Sequence, residues 1–170
     1  MFLAFGLVEE GRDKSGIAEM RDALIGSLHA LSFRDKVRFL TLLALALGKV
    51  GESDQGLKKI DEALTIAKQV KKFGDVYLTH LFKGQLLLMK NASGLRKAKQ
   101  AFSTAVEIAR EQNAKSDELR ATIPLAKLLA EQGHRNRART MLAEIYNWFT
   151  EGFDTADLKD AKGLLDDLSD

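Results

Sequence analysis

The residues that could do chemistry are few and scattered. The chain of 170 residues holds no cysteine, which removes thiolate nucleophiles, disulfide frameworks and Cys-based zinc or iron–sulfur sites together. Its three histidines, His29, His80 and His134, stand far apart, and none has a second metal ligand at helical spacing, so no metal site is expected. His134 follows Gly133 and reads as a solvent-facing turn residue. A phosphate-cradling loop needs closely set glycines that end in Lys-Ser or Lys-Thr; here the glycines recur at wide intervals and read as packing residues. No serine has the strand–turn–helix setting of a nucleophile elbow, and adjacent acids such as Glu9-Glu10 and Asp61-Glu62 point to different sides of a helix instead of converging. The sequence therefore reads as non-enzymatic, with no cofactor.

Composition agrees with a binding module. Apolar residues make up 45% and charged ones 29%, with 26 Lys+Arg against 24 Asp+Glu, the balance of an ordinary folded chain. One Pro, two Tyr and one Trp beside many Leu, Ala, Lys and Glu are the usage of an all-α protein. The longest apolar run, Phe39 to Leu47, lies between Arg38 and Lys49 and falls far short of the ~20 residues that span a bilayer. Met1 to Val8 is apolar but has no basic region before it and runs straight into Glu9-Glu10, unlike a secretory leader. Together with the missing cysteines this makes a cytoplasmic setting the expectation.

What positions these residues is a repeat. Small residues stand at Ala4, Ala44, Gly84 and Ala126, in steps of 40, 40 and 42, and twelve positions later in the first, second and fourth copies come Gly16, Gly56 and Ala138, with Ala98 displaced by two in the third. The two extra residues sit in the Asn91-Ala92-Ser93-Gly94 turn, where the other copies have Gly11, Gly51 and Gly133. Large apolar residues follow at Met20, Ile60, Phe102 and Leu142, then Ala23, Ala63, Ala105 and Ile145. Antiparallel helices approach closely only where one side chain is Gly or Ala, and bulky neighbours then fill the layer between pairs. Self-similarity at such a period marks a solenoid of helix pairs.

This ladder of small and large residues resembles the tetratricopeptide repeat (TPR) family. The resemblance covers residues 1–150 and implies a right-handed α-α superhelix of four helix pairs. Two departures stand out: the period is near 40 instead of ~34, and no copy carries the Pro that usually ends the second helix. HEAT-like helical repeats are the alternative architecture. The phrase Tyr146-Asn147-Trp148-Phe149-Thr150-Glu151-Gly152-Phe153-Asp154 with its Leu-rich ending, together with Leu81-Phe82-Lys83-Gly84-Gln85-Leu86-Leu87-Leu88, is similar to the C-terminal repeats of large bacterial signalling regulators. In these an adenylate/guanylate cyclase domain or a winged-helix domain is followed by an ATPase domain and then by TPR repeats. The resemblance implies a regulatory or sensory TPR module and lends this chain no cyclase chemistry.

A single domain over residues 1–170 is expected, with repeats at 1–31, 32–72, 73–114 and 115–151 and a capping helix at 154–169. Helices pair as 1–10 with 14–31, 33–50 with 54–72, 75–90 with 94–113, and 117–132 with 135–151. Ser32, Ser53, Asp75, Ser93 and Ser116 are candidate N-caps, and Pro124 falls inside the seventh helix, where it removes a hydrogen bond to Arg120 and bends the axis. Gly152 suits a left-handed cap, Asp154 an N-cap, and Leu158, Ala161, Leu164, Leu165 and Leu168 a covering face. Tyr146, Trp148, Phe149 and Phe153 are expected to fill the core at this junction, with an interface patch as the alternative reading. Residues 151–170 hold seven acids against two lysines.

A ligand would meet the exposed side of the first helices. The register projects Phe5, Glu9, Arg38, Thr41, Leu45, Lys49, Leu78, Gln85, Met89, Arg120, Lys127 and Glu131 there. Arg38, Thr41, Lys49, Gln85, Arg120 and Lys127 are the candidates for a basic groove that takes an acidic protein or peptide segment. Known peptide-clamping TPR proteins use a Lys, Asn and Arg set, whereas this chain has Met1 and Phe5 at the first of those places. No nucleic-acid partner is expected, because the lysines between Lys68 and Lys99 have few aromatics among them. The face around Leu3 and Leu7 is expected to lack a preceding helix, which would permit pairing with a second copy.

Overall fold

The computed structural model describes residues 31–69, 76–90 and 94–169. The expected first helix pair, its homodimer face, His29, and the caps Asp75 and Ser93 lie outside the described residues. Within them the chain forms seven helices and no strand: α1 (Phe33–Lys49), α2 (Ser53–Ala67), α3 (Val76–Lys90), α4 (Leu95–Glu111), α5 (Lys115–Glu131), α6 (Arg135–Tyr146) and α7 (Ala156–Asp167). They fall into two compact units, residues 1–98 and 99–170.

In the first unit α1 packs on α2 and α3, and α2 on α3. Val37, Phe39, Leu40, Leu43, Ala46 and Leu47 of α1 meet Ala63 and Ala67 of α2, and Ala44, Ile60 and Leu86 form a second cluster across three helices. Each such leucine, fully withdrawn from water, contributes ~1.5–3 kcal/mol. The small-residue ladder explains the closeness. A Cβ on Gly56 would stand 2.7 Å from the Ala44 carbonyl oxygen, and one on Gly48 would stand 2.3 Å from Leu86 Cδ2. In the second unit α5 packs on α6 and α7, and α6 on α7. Ala126, Ala138, Leu142 and Ile145 are buried at the expected ladder positions; Leu158 and Ala161 of α7 and Leu168 just after it are buried too, with Leu164 and Leu165 half-buried. Pro124 lies inside α5, which continues to Glu131.

Three turns share one backbone solution. After α1, Glu52 N–H donates to Leu47 O and Gly51 N–H to Gly48 O; after α4, Ala114 N–H donates to Ala109 O and Asn113 N–H to Arg110 O; after α5, His134 N–H donates to Leu129 O and Gly133 N–H to Ala130 O. This is the Schellman pattern, whose pivot residue must be left-handed. Accordingly φ is 84° at Gly51, 83° at Gly133 and 53° at Asn113. Gly152 is left-handed as well, at φ 77°.

The same turns correct the expected caps. Ser32 caps α1 as expected: its ψ is 158°, and its hydroxyl oxygen accepts the Asp35 N–H. Helices that follow a Schellman turn instead begin at Glu52, Ala114 and His134, with ψ of 43°, 81° and 45°. None is as extended as a side-chain cap requires, so Ser53 and Ser116 fall inside their helices and do not cap them. At α7 the N-cap is Thr155 instead of Asp154, and the Thr155 hydroxyl donates back to Gly152 O.

A buried carboxylate ties α4 to α5. Glu118 is only 4% exposed and accepts from Arg110 Nε at 2.6 Å and Lys115 Nζ at 2.9 Å. Burial pushes its carboxyl up, but the hydrogen bonds and charges of Arg110 and Lys115 outweigh that and hold it below the ordinary value. The α7 helix is fastened by Arg120 Nη2 on Asp157 Oδ2 at 2.7 Å and Arg139 Nε on Ser169 Oγ at 3.2 Å.

Two outcomes follow for unfolding experiments. An L-residue in the left-handed region costs about 1–2 kcal/mol, less for Asn, so Asn113→Gly raises stability by up to ~1 kcal/mol and Gly133→Ala lowers it by ~1 kcal/mol or more, read from urea midpoints. Glu118→Gln costs roughly 1.5–3 kcal/mol at neutral pH. Because the folded carboxyl has the lower pKa, the stabilisation of the parent chain is present above ~4.3 and is lost as pH falls through the folded value; the variant has a flatter stability profile across that window.

Candidate functional site

The spacing Arg38, Thr41, Leu45, Lys49 lays one stripe along α1. Its ends face solvent, with Arg38 and Lys49 exposed, each already engaged by a neighbour. Its middle is closed by α3, which corrects the sequence expectation. Thr41 is 1% exposed, donates to the Val37 carbonyl at 2.7 Å and lies 2.9 Å from Thr79 Oγ1. With its own proton on Val37 O, Thr41 accepts from the Thr79 hydroxyl, so both buried hydroxyls are satisfied and Thr41 is not available to a ligand. Leu45 is buried beside it.

On α3, Gln85 is half-buried one turn before the exposed Met89. On α5, Lys127 is exposed, but the guanidinium of Arg120 is held by Asp157 of α7 and, at 3.4 Å, by Asp117. Arg120 thus acts as a clamp for α7. Arg38, Lys49 and Gln85 belong to the first unit, Arg120 and Lys127 to the second.

Two features were missed or misjudged in the sequence. A cavity of about 580 Å³ opens between α2 and α3, lined by Asp61, Thr65, Lys68, Val76, His80 and Lys83 among others. Lys83 Nζ pairs with Asp61 Oδ1 at 2.8 Å. Burial, with the Lys83 charge behind it, pushes the His80 imidazole down from its ordinary value, so the ring is neutral at pH 7. The signal was present as Asp61, Thr65 and Lys68 on one helical face and Val76, His80 and Lys83 on the next. Among the described residues no group of three His, Asp or Glu is placed to hold a metal, and no helix is long and apolar enough to cross a membrane. The second feature is aromatic. Trp148 is 58% exposed and Phe153 46% exposed, where the sequence reading placed both in the core; the chain leaves α6 at Tyr146, earlier than expected, and the aromatics ride on the irregular connection.

Neither a protein-family model nor a curated protein sequence matches the chain. Solved structures do. A crystal structure from Podosopora anserina, described as a kinesin light chain with nearly identical TPR-like repeats, is 12% identical, covers 98% of this chain and 82% of its own, and has a TM-score of 0.75. The fold is TPR-like. A single-substitution variant of that protein gives a TM-score of 0.76 at 12% identity, covering 98% and 81%. BtubC (BKLC) from P. vanneervenii gives 0.71 at 18% identity, covering 95% of this chain and 65% of that one. In TPR-like terms α1 with α2 in the first unit and α5 with α6 in the second are helix pairs, and α7 packs on both members of the latter. The ~40-residue period is accommodated within this fold, which decides against the HEAT-like alternative.

Proposed function

We propose that the chain is a protein-binding scaffold with no catalysis of its own, serving a regulatory or sensory role. The observation that carries this reading is the TPR-like fold, an architecture whose stacked helix pairs present an extended surface to a partner. An acidic segment of a protein or peptide is the proposed partner; the exposed Arg38 and Lys49, with Gln85 as a hydrogen-bonding neighbour, are the proposed contacts on the first unit, and the exposed Lys127 is a separate proposed contact on the second. Thr41 and Arg120 are left out, the first because it is buried and the second because it secures α7.

A second reading is that the scaffold is the C-terminal part of a larger adenylate-cyclase-like or winged-helix ATPase regulator in the cytoplasm. The phrase Tyr146 to Asp154 and the Leu-rich α7 favour it.

Binding of a fluorescently labelled hexa-glutamate peptide tests the first reading. The triple variant Arg38→Glu, Lys49→Glu, Lys127→Glu, with unchanged helical circular dichroism, binds about tenfold or more weakly; undiminished binding means the contact assignment is wrong. An immunoblot of the source cells separates the two settings. A band near 18.8 kDa marks a free-standing adaptor, and a band several-fold larger marks the tail of a multidomain regulator.

A further inference from the structure

The connection between α6 and α7 sets Tyr146, Trp148, Phe149 and Phe153 within eight residues. They form two pairs: Trp148 stands edge-on to Phe149 with centroids 5.2 Å apart, and Phe153 tilts against Tyr146 at 5.8 Å. The backbone beneath them is tied down. Trp148 N–H donates to Ile145 O, Phe149 N–H to Tyr146 O and Thr155 N–H to Gly152 O, and the left-handed Gly152 sets the direction of the return. Rings held in this way lose little conformational freedom when a partner arrives. Clustered, pre-ordered aromatic surface left in water is also what anchors protein interfaces.

The charges beside the rings decide what kind of partner fits. Asp157 is engaged by Arg120, and Asp166 by Lys162. Glu151 and Asp154 are exposed and, among the described residues, have no cation in ion-pair reach. Both stand within three residues of Trp148 or Phe153 in sequence, and the whole segment 151–170 carries seven acids against two lysines. Phosphate groups and acidic segments are repelled by such a surface. A guanidinium satisfies both halves at once, because its plane stacks on an aromatic face while its N–H groups pair with carboxylates.

We propose that the aromatic connection of Tyr146, Trp148, Phe149 and Phe153, with the carboxylates of Glu151 and Asp154, is a docking surface for an arginine-bearing segment of a partner protein. It uses residues other than Arg38, Lys49, Gln85 and Lys127, so its failure leaves the proposed acidic-segment contacts untouched, and theirs leaves it untouched.

Trp148 is the single tryptophan of the chain, so its emission reports this surface directly. The full chain is titrated with hexa-arginine amide and, separately, with hexa-glutamate. Expected are a saturable change in emission with hexa-arginine only, and binding about tenfold or more weaker for Glu151→Lys/Asp154→Lys at unchanged helical circular dichroism. Phe153→Ala weakens binding severalfold. The proposal is overturned by the absence of a saturable response up to millimolar hexa-arginine, by equal binding of the charge-reversed variant, or by a saturable response to hexa-glutamate that persists in the Arg38→Glu, Lys49→Glu, Lys127→Glu variant. It is also overturned if emission shifts when the chain alone is concentrated and light scattering shows a doubled mass, since a second copy would then occupy the surface.

Discussion

The distance between neighbouring helices is the constraint from which the rest follows. Where Gly56 of α2 meets the Ala44 carbonyl, a single added methyl has no room. That approach lets Ile60 and Leu86 close over Ala44 in one cluster. In the second unit Ala126 and Ala138 occupy the same ladder positions and are fully buried, with Leu142 as the large residue that fills the layer. Dense packing of this kind turns the sequence pattern into a geometry: small residues fix how near two helices lie, and large ones fix what lies on top of them.

Most of this was legible in the residues because it depends on side-chain volume at fixed intervals. The described helices other than α2 and α6 fall close to their expected bounds, and Gly152 adopts the left-handed backbone expected of it, as Gly51 and Gly133 do in their turns. The turn after α4 was harder to see, since Asn113 does the work of a glycine without being one. Cap assignment failed at Ser53 and Ser116 for a backbone reason. A serine can cap only from an extended residue, and the turn leaves a residue with ψ well short of extended in the capping place.

The candidate site was less legible, because exposure depends on which helix covers which. Helical spacing correctly put Arg38, Thr41, Leu45 and Lys49 on one stripe, but it carries no information that Thr79 arrives over the middle of it. Arg120 looked like a groove cation and is instead a strut between α5 and α7, a role decided by Asp157, 37 positions away. Trp148 and Phe153 look like core on composition alone. Their exposure comes from the irregular path of the connection, which periodicity does not reach. The His80 cavity likewise needs two helices brought side by side before its residues become neighbours.

Among the described residues, every helix contact within a unit joins elements one or two places apart along the chain. A molecule assembled from such short-range contacts closes only small loops as it folds, which favours fast folding. In a repeat array in general, a helix pair meets only the pairs beside it. Duplication or loss of a forty-residue stretch then disturbs two junctions and nothing further. Length, and with it the reach of whatever surface the array presents, is the property that such a gene can change most cheaply.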